Sequence, residues 1–374
     1  MKVALVHDFL NQVGGAEKVL EIFHEIFPRA PVYTITYDEK ETRGVFKHLN
    51  IKTSFIQRLP FGVKQYKWYI SMMPAAIEQF DFSKYDIVLS DCSAFSKGVI
   101  VRPETLHISY VHSPTRYLWN DTHSYTEEIK QPGVIKKMLP LVLQKIRTWD
   151  QLAALRVDKM IANSKTVSER IEKYYKRKSD IIYPPVETDK YYISNDIDDY
   201  FLVVSRLRPY KRVDLVVEAF NALRLPLKVI GTGEELETLK KMANDNIEFL
   251  GPVSDKEKAY YLSRCKAFIH PQEEDFGITA LEAMASGRPV IAYKKGGAVE
   301  TVIPGKSGIL FEDQSPWSLV DAVRDFDSKN FNPEEIRKRA LDFDIKLFKD
   351  RIEKYIFDSY REFKDSRENY YKIN

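Results

Sequence analysis

Two carboxylates and a glycine lie in one short segment that follows a predicted buried strand. Glu274 and Glu282 are separated by seven residues, and Gly277 lies between them near the predicted start of a helix. The backbone N–H groups of Gly277, Ile278 and Thr279 would face an anion such as a diphosphate, because the first N–H groups of a helix lack partners within it. Glu282 would lie about one turn into the helix, where it could accept ribose hydroxyls. Glu274 alone would be a solvated surface group at the rim of the site.

A basic cluster follows another predicted strand. Its cations are Arg206, Arg208, Lys211 and Arg212. Such clusters are often solvated faces, and that interpretation stays open. This cluster, however, follows the carboxyl end of a strand, which is the ligand side of an open α/β sheet. There Arg206 can bind phosphate through its planar guanidinium, and Lys211 can act as a compact charge.

Two glycine-rich turns also precede predicted helices. Gly14 and Gly15 would let a backbone approach a ligand closely, although a plain tight turn explains them equally well. Gly231 and Gly233 begin a partial G-x-G-x-x-G pattern in which Leu236 replaces the third glycine. As a dinucleotide fingerprint this is poor, and an ordinary strand-to-helix turn is favoured.

The chain alternates short apolar runs with helical periodicity. Strands are predicted at residues 3–6, 32–35, 87–89, 106–111, 159–162, 180–182, 201–205, 227–230, 247–250, 267–270 and 290–292. This alternation predicts an α/β protein with doubly wound parallel sheets. Pro184 and Pro185 interrupt it, so we expect two Rossmann-like domains that face each other across a cleft. A charged amphipathic helix near residues 344–364 must pack against something and could bridge both domains.

Composition narrows the function classes. The 374 residues suit two to three domains at about 150 residues each. A net charge of +3 argues against a dedicated nucleic-acid-binding protein. Cys92 and Cys265 lie far apart and are expected to be buried, reduced thiols. The first apolar run ends before Asp8, so it is too short for the core of a signal peptide. No apolar run approaches the roughly 18 residues of a membrane span. We therefore expect a cytoplasmic protein.

These motifs, with residues 111–119 (VHSPTRYLW), resemble those of the family 4 retaining glycosyltransferases, which have the GT-B fold. The resemblance covers nearly the whole chain. The Glu-x7-Glu motif at 274–282 is its most specific mark, and Arg206, Lys211 and the Gly14-Gly15 turn match other family features. Residues 73–81 and 111–119 resemble the bacterial O-antigen and exopolysaccharide mannosyltransferase branch.

The resemblance implies that the two domains bind different substrates. Residues 1–190, with a returning helix at 345–374, would form an acceptor-binding domain, and residues 191–344 would bind the nucleotide sugar. The catalytic residues would be His112, Glu274, Arg206 and Lys211. The donor-binding residues would be Gly14, Gly15, Arg206, Lys211, Gly251, Val253, Glu274, Phe276, Gly277, Ile278, Thr279 and Glu282.

The resemblance also implies a particular role for each of these site residues. His112 would lie over the anomeric carbon, and Glu274 would contact hydroxyls of the donor sugar. Glu282 would hold the ribose, and the Gly277 helix start would bind the diphosphate with Arg206 and Lys211. Gly251 and Val253 would border the base. No D-x-D motif is placed at a carboxyl strand end, so we predict no metal and no cofactor.

The implied reaction is transfer of mannose from GDP-mannose, with retention, onto a glycan or lipid-linked glycan in surface polysaccharide synthesis. A UDP-sugar donor and a non-catalytic nucleotide-sugar-binding scaffold remain alternatives, and an NAD-dependent oxidoreductase is disfavoured by the incomplete glycine pattern. Two basic and apolar stretches also suggest peripheral contact with the cytoplasmic face of the inner membrane. They include Lys64, Lys67, Trp68, Tyr69, Met72, Met73, Lys136, Lys137, Lys145 and Arg147, which could equally belong to packed helices with solvated edges.

Overall fold

The computed structural model describes residues 1–120, 122 and 133–373, with side chains described except in 133–138 and 369–373. It divides into two compact units. Unit 1 comprises Met1–Tyr183 and Lys349–Asn374, and unit 2 comprises Pro184–Phe348. The sequence-based boundaries lie at 190/191 and 344/345.

Unit 1 is built on a seven-stranded sheet in which all neighbouring strands are parallel. Its strands are β1 (Val3–Leu10), β2 (Val32–Tyr37), β3 (Ile51–Thr53), β4 (Ile87–Cys92), β5 (Leu106–Val111), β6 (Lys159–Ala162) and β7 (Asp180–Ile181). The strand order is β3-β2-β1-β4-β5-β6-β7. Because β1, β4 and β5 are adjacent and buried, groups at their carboxyl ends meet at one edge of the sheet.

Helices cover this sheet and connect its strands. They are α1 (Gly15–Ile26), α2 (Met73–Glu78), α3 (Arg116–Trp119), α4 (Gly133–Leu155) and α5 (Lys165–Tyr175). In α1 the buried residues Val19, Leu20 and Phe23 recur at helical spacing and pack inward. Ser164 begins α5 by accepting the N–H of Val167 at 3.1 Å.

Unit 2 repeats the design with a six-stranded parallel sheet. Its strands are β8 (Phe201–Val204), β9 (Leu227–Ile230), β10 (Ile247–Gly251), β11 (Phe268–His270), β12 (Val290–Tyr293) and β13 (Gly308–Phe311), in the order β10-β9-β8-β11-β12-β13. Its helices are α6 (Val213–Leu223), α7 (Leu236–Met242), α8 (Asp255–Arg264), α9 (Ile278–Ala285), α10 (Ala298–Thr301), α11 (Pro316–Arg324) and α12 (Pro333–Leu341).

A long helix, α13 (Ile345–Ile373), begins in unit 2 and continues into unit 1. Ile352 and Ile356 on its apolar stripe are fully buried. The hydroxyl of Tyr355 donates to Asp180 at 2.7 Å, and Lys349 pairs with Glu25 at 3.3 Å. Its contacts from Lys349 onward therefore fasten the helix to unit 1, as the resemblance implied.

The two parallel sheets confirm the α/β prediction. Strands β3 and β13 were not predicted. Strand β3 has only three residues and no fully buried one, so it lacks the apolar run that marks the other strands. Both cysteines are free and buried, as expected.

Candidate active site

Two residues with separately predicted roles form an ion pair in unit 2. Lys211 ends a short 3-10 turn, Pro209–Lys211, after β8, and Glu274 follows β11. The Lys211 ammonium donates to a Glu274 carboxylate oxygen, and the two side chains are 15% and 19% exposed. Both strands end at the same sheet edge, so this pair stands at the ligand side of unit 2.

Gly277 begins α9 in a backbone conformation that excludes most other residues. Its φ is +92°, in the left-handed region that glycine adopts readily. A Cβ at this position would lie 3.3 Å from the His270 ring and 3.7 Å from the Oε2 atom of Glu274. The glycine therefore admits a close approach of backbone, imidazole and carboxylate. The first N–H groups of α9 lie beside them, as anion binding requires.

His270, which is not among the predicted site residues, contributes a polar atom to this group. The side-chain amide of Gln272 donates to its Nδ1 atom at 3.3 Å, so the ring proton is on Nε2. Nε2 is buried, has no hydrogen-bond partner among the described residues, and lies 3.9 Å from Oε2 of Glu274. Burial, aided by the charge of Lys211, lowers the pKa of His270 to about 3. His270 is thus a neutral N–H donor beside the ion pair.

A second glycine fixes the loop that carries Glu274. The N–H of Gly297, after β12, donates to the Glu274 carbonyl at 2.8 Å. A Cβ on Gly297 would lie 2.3 Å from the Cα atom of Phe276, so a larger residue would displace the loop. Phe276 itself is 3% exposed and packs its ring against Phe343 at 5.5 Å between centroids. The Phe276 ring therefore anchors the segment before α9.

Glu282 belongs to a separate contact on α9. Lys258, on α8, donates to both of its carboxylate oxygens at 2.9 and 3.0 Å. The ammonium also lies over the Tyr191 ring at 5.6 Å. Burial and the neighbouring Glu282 carboxylate raise the pKa of Tyr191. A carboxylate held in this way presents a fixed acceptor about one turn into the helix.

The remaining donor-site candidates of unit 2 occupy the same sheet edge. Arg206 is exposed and lies two residues beyond β8. Gly251 ends β10 with a φ of +69° and open space around it, and Val253 is half-buried in the following turn. Ile278 and Thr279 are half-buried in the first turn of α9. Their roles toward a donor stay predictions.

In unit 1, Asp91 joins two histidines, one to each carboxylate oxygen. Nδ1 of His7 donates to Oδ2 at 2.8 Å, and Nε2 of His112 donates to Oδ1. Asp91 is fully buried at the end of β4, and the His112 side chain is 14% exposed. The pairing fixes the orientation of His112 and leaves its Nδ1 without a hydrogen bond among the described residues. Burial would raise the pKa of Asp91, but the two histidines outweigh it and lower that pKa.

Glu17 extends this group toward the glycine turn. It lies in the first turn of α1, which Gly14 and Gly15 open, and its Oε1 atom is 3.7 Å from Nε2 of His7. Burial favours a neutral His7, but Asp91 and Glu17 outweigh it and raise the pKa of His7 to about 10. We call His7, Glu17, Asp91 and His112 the histidine cluster. Its two carboxylates and one fixed imidazolium leave one buried negative charge beside His112.

Asp8 fixes the loop that follows Asp91. Its carboxylate accepts backbone N–H groups at 2.6–2.8 Å. The donors are Ser93, Ala94, Phe95 and Ser96. Four such bonds hold the ends of β1 and β4 in register, and thereby hold Asp91 against His7.

A buried carboxylate on α4 explains much of the motif that follows His112. Asp150 accepts hydrogen bonds from Lys97 at 2.5 Å, from the Thr115 hydroxyl at 3.0 Å and from the Trp119 indole at 2.8 Å. Lys97 and Asp150 are each 1% exposed. Thr115 and Trp119 thus position the segment after His112.

Asp91, His7, Glu17 and His270 were missed as site residues. One signal for Asp91 was present, because an ionisable residue that closely follows a buried apolar run has to be paired if it is buried too. The pairing itself spans 84 residues between His7 and Asp91, which no local pattern reveals. Among the described residues, no cluster of three or more His, Cys, Asp or Glu has the arrangement of a metal site.

The C-terminal half of the chain matches a known family model. Residues 187–342 match the model described as glycosyl transferases group 1. An uncharacterised glycosyltransferase of Methanocaldococcus jannaschii is 31% identical over an alignment that covers 51% of this chain and 55% of that protein. The chain thus spans about half the length of that relative.

Two further matches are named as mannosyltransferases, and the first of them covers most of the chain. The α-1,3/1,6-mannosyltransferase ALG2 of Dictyostelium discoideum is 26% identical, with 83% of this chain and 86% of that protein covered. A GDP-mannose-dependent α-(1-6)-phosphatidylinositol monomannoside mannosyltransferase of Mycobacterium tuberculosis is 36% identical over 32% of this chain and 36% of its own length.

Solved structures share the fold along nearly the whole chain. Sucrose-phosphate synthase of Thermosynechococcus elongatus has a TM-score of 0.77 at 16% identity and covers 96% of this chain and 100% of its own. HepE of Anabaena, solved with UDP, has a TM-score of 0.70 at 18% identity, with 96% and 100% covered. Residues 187–342 therefore match the glycosyl transferases group 1 model, and the chain as a whole has the GT-B fold.

Proposed function

We propose that this GT-B protein is a family 4 retaining glycosyltransferase that moves mannose from GDP-mannose onto a glycan or lipid-linked glycan. The observation that carries the proposal is the group formed by Lys211, Glu274, Gly277 and His270 at the carboxyl edge of unit 2. It combines a cation, an anion-binding helix start and hydroxyl-binding groups, which suit a diphosphate attached to a sugar. The names of two relatives support mannose, and one of them supports GDP-mannose.

The chemistry follows from where charge develops. As the bond from the anomeric carbon to the diphosphate breaks, the leaving group gains negative charge and the sugar gains oxocarbenium character. That leaving group interacts more strongly than the bound donor does with Lys211, with Arg206 and with the first N–H groups of α9. Interactions that strengthen in the transition state lower the barrier. Glu274 is then released from Lys211 to accept hydroxyls of the sugar.

The histidine cluster would serve the sugar from the acceptor-binding unit. Asp91 fixes the ring of His112, and the buried negative charge beside it would favour the positive charge that develops on the sugar. Glu282, held by Lys258, would bind the ribose. No residue is assigned as a nucleophile, and we propose retention through direct or ion-paired attack by the acceptor.

We further propose that the reaction needs no metal ion and no cofactor, because Lys211 and Arg206 supply the positive charge that a divalent ion would otherwise give. Turnover in excess EDTA would then equal turnover with added Mg²⁺ or Mn²⁺. A loss of activity in EDTA that either ion restores would refute this part.

The first experiment is a thermal-shift panel of GDP, UDP, ADP and their sugar nucleotides, without added metal. Ligands that bind the folded protein raise its melting temperature by mass action. A selective rise with GDP and GDP-mannose is expected, followed by mannose transfer to a lipid-linked glycan with an α-linked product by NMR. A rise with UDP-sugars alone would move the donor assignment to that alternative. Binding without turnover would favour a non-catalytic scaffold.

The proposal also includes the acceptor and the cellular location of the reaction. We propose an acceptor in surface polysaccharide synthesis and action at the cytoplasmic face of the inner membrane, where free thiols such as Cys92 and Cys265 persist. Among the described residues, no helix is both long and apolar enough to cross a bilayer. The side chains of Lys136 and Lys137, from one of the two predicted membrane-edge stretches, lie outside the described residues.

A further inference from the structure

Between β3 and α2 the chain exposes several large apolar side chains. The segment contains two 3-10 turns, Phe55–Arg58 and Tyr66–Met72. The exposed fractions of Phe61, Trp68 and Met72 are 67%, 57% and 40%. The rings of Phe61 and Trp68 contact each other, with centroids 6.0 Å apart. Adjacent exposed aromatic residues are a recognition feature, whereas scattered ones are ordinary.

The backbone holds the Phe61 ring outward at a conformational cost. Phe61 has a φ of +57°, a left-handed conformation that bulky residues rarely adopt. Hydrogen bonds on both sides fix it, from Gln65 N–H to the Phe61 carbonyl at 2.7 Å and from the Tyr69 hydroxyl to the Pro60 carbonyl at 2.7 Å. The exposure of this ring is therefore built into the fold of the segment.

The charged residues of this segment all have one sign. Arg58, Lys64 and Lys67 are exposed in the same segment. Residues 55–77 contain no Asp or Glu, so their net charge of +3 equals that of the whole chain. We call Arg58, Phe61, Lys64, Lys67, Trp68 and Met72 the basic aromatic face. Basic residues interleaved with Trp and Phe match an anionic lipid surface, where the cations meet headgroups and the rings enter the interface.

Exposure alone does not distinguish this face. Trp317 of unit 2 is 69% exposed, more than Trp68. Its neighbours in sequence include the acidic residues Glu312, Asp313 and Asp321. An anionic surface would repel that region, so Trp317 provides a matched control.

The basic aromatic face is connected to the edge of unit 1 that carries His112. Tyr66, between Lys64 and Lys67, packs its ring on Phe9 at the end of β1, with centroids 4.7 Å apart. A hydrogen bond from Asn11, in the turn before Gly14, partly offsets the increase that burial causes in the pKa of Tyr66. A surface bound at this face would thus lie beside the Asn11 turn.

We propose that the basic aromatic face docks unit 1 on an anionic lipid bilayer and so brings the carboxyl edge of its sheet to the headgroup level. The inference deepens the proposed function, on which it rests only for the statement that the acceptor is lipid-linked. Lipid binding is measured without donor or acceptor, and nucleotide binding without lipid. A failure of one is therefore distinguishable from a failure of the other.

The test uses the full chain and vesicles of either pure phosphatidylcholine or 70:30 phosphatidylcholine and phosphatidylglycerol, in a flotation assay. We expect at least tenfold stronger partitioning onto the anionic vesicles, weakened by added NaCl. Lys64→Gln with Lys67→Gln should weaken it about 25-fold, at roughly fivefold per charge. Phe61→Ser with Trp68→Ser should weaken it at least tenfold, whereas Trp317→Ser should change nothing.

All variants should keep the wild-type melting temperature and its shift by nucleotide, because no substituted side chain contacts the donor-site residues of unit 2 described above. Equal partitioning onto both vesicle types would overturn the proposal. So would unchanged binding by the Phe61→Ser and Trp68→Ser variant. A dimer in sedimentation velocity that Trp68→Ser abolishes would assign the face to a second copy of the chain instead.

Discussion

Each unit places a buried histidine on a strand of its parallel sheet, beside a predicted functional residue, and the two histidines carry opposite protonation states. In unit 1, His7 contacts the carboxylates of Asp91 and Glu17, and its pKa is raised to about 10. In unit 2, His270 lies near Lys211, and its pKa is lowered to about 3. Burial disfavours the cation in both places, so the neighbouring charges decide the difference.

The difference shows how one side chain serves two tasks. The cationic His7 holds Asp91 in place, and Asp91 in turn orients His112. The neutral His270 keeps an N–H directed into a region that already contains Lys211 and Glu274. The residues of unit 1 act mainly by positioning, and those of unit 2 would act mainly by binding charge.

Asp91→Asn should break the positioning role most severely. The amide cannot accept from both histidines with a full charge, so His112 loses its fixed orientation. We expect kcat to fall about 100-fold, the scale of a misplaced reacting group, with a smaller change in KM for the donor. Steady-state kinetics of mannose transfer measure both values.

Asp86→Asn is the matched control, because Asp86 immediately precedes the same strand at its opposite end. It should keep the wild-type kcat. If Asp91→Asn unfolds the protein by leaving His7 unpaired, the double variant with His7→Gln should restore folding and keep the kcat deficit. Wild-type kcat in a folded Asp91→Asn protein would contradict the positioning role.

Lys211→Gln should break the charge-binding role of unit 2. Removing one donor to a developing anion typically lowers the rate by about 100-fold or more. We therefore expect kcat/KM for the donor to fall by about that factor. Arg208→Gln is the control, since Arg208 is exposed and paired with Glu234, and it should change kcat/KM less than twofold. Equal effects of the two substitutions would mean that the basic cluster after β8 acts only through its overall positive charge.

His270→Phe sharpens the contrast by removing the N–H while keeping an aromatic ring. Loss of one hydrogen bond to a charged ligand should weaken GDP binding about tenfold in calorimetry. His107→Gln, a substitution of the neutral buried histidine that bonds Ser90 in unit 1, should leave GDP affinity unchanged. Unaltered GDP affinity in His270→Phe would make His270 a packing residue.

The smallest expected effect is a pair of opposite pH dependences. The folded pKa of His7 exceeds its unfolded value of about 6.5, so its contribution to stability is complete below 6.5 and is lost as the pH rises toward 10. The folded pKa of His270 is lower than its unfolded value, so stability is lost as the pH falls from 6.5 toward 3. Melting curves of wild type, His7→Gln and His270→Gln from pH 4 to pH 9 should give difference slopes of opposite sign. Slopes of the same sign would contradict the assigned protonation states.

Local patterns were enough to predict most strands of both sheets and the two loops of unit 2 that carry Arg206 and Glu274. The apolar runs before Arg206 and Glu274 are strands, and both side chains follow the carboxyl ends of those strands. The ion pair between Lys211 and Glu274 was not predictable, because it depends on two loops that are 63 residues apart in sequence.

Unit 1 was less predictable for the same reason. His112 was identified from its motif, but its partner Asp91 lies on a neighbouring strand 21 residues away. His7 was not among the predicted site residues. Only the adjacency of β1, β4 and β5 brings the three side chains together.

The route of α13 has a consequence for how the protein is made. Unit 2 is continuous in sequence, whereas unit 1 is split and takes residues from Lys349 onward back from beyond it. On a ribosome, strands β1 to β7 therefore emerge before the helix that carries the buried residues Ile352 and Ile356. The domain translated first is consequently completed last, and its exposed helix-binding surface is what a chaperone would meet during synthesis.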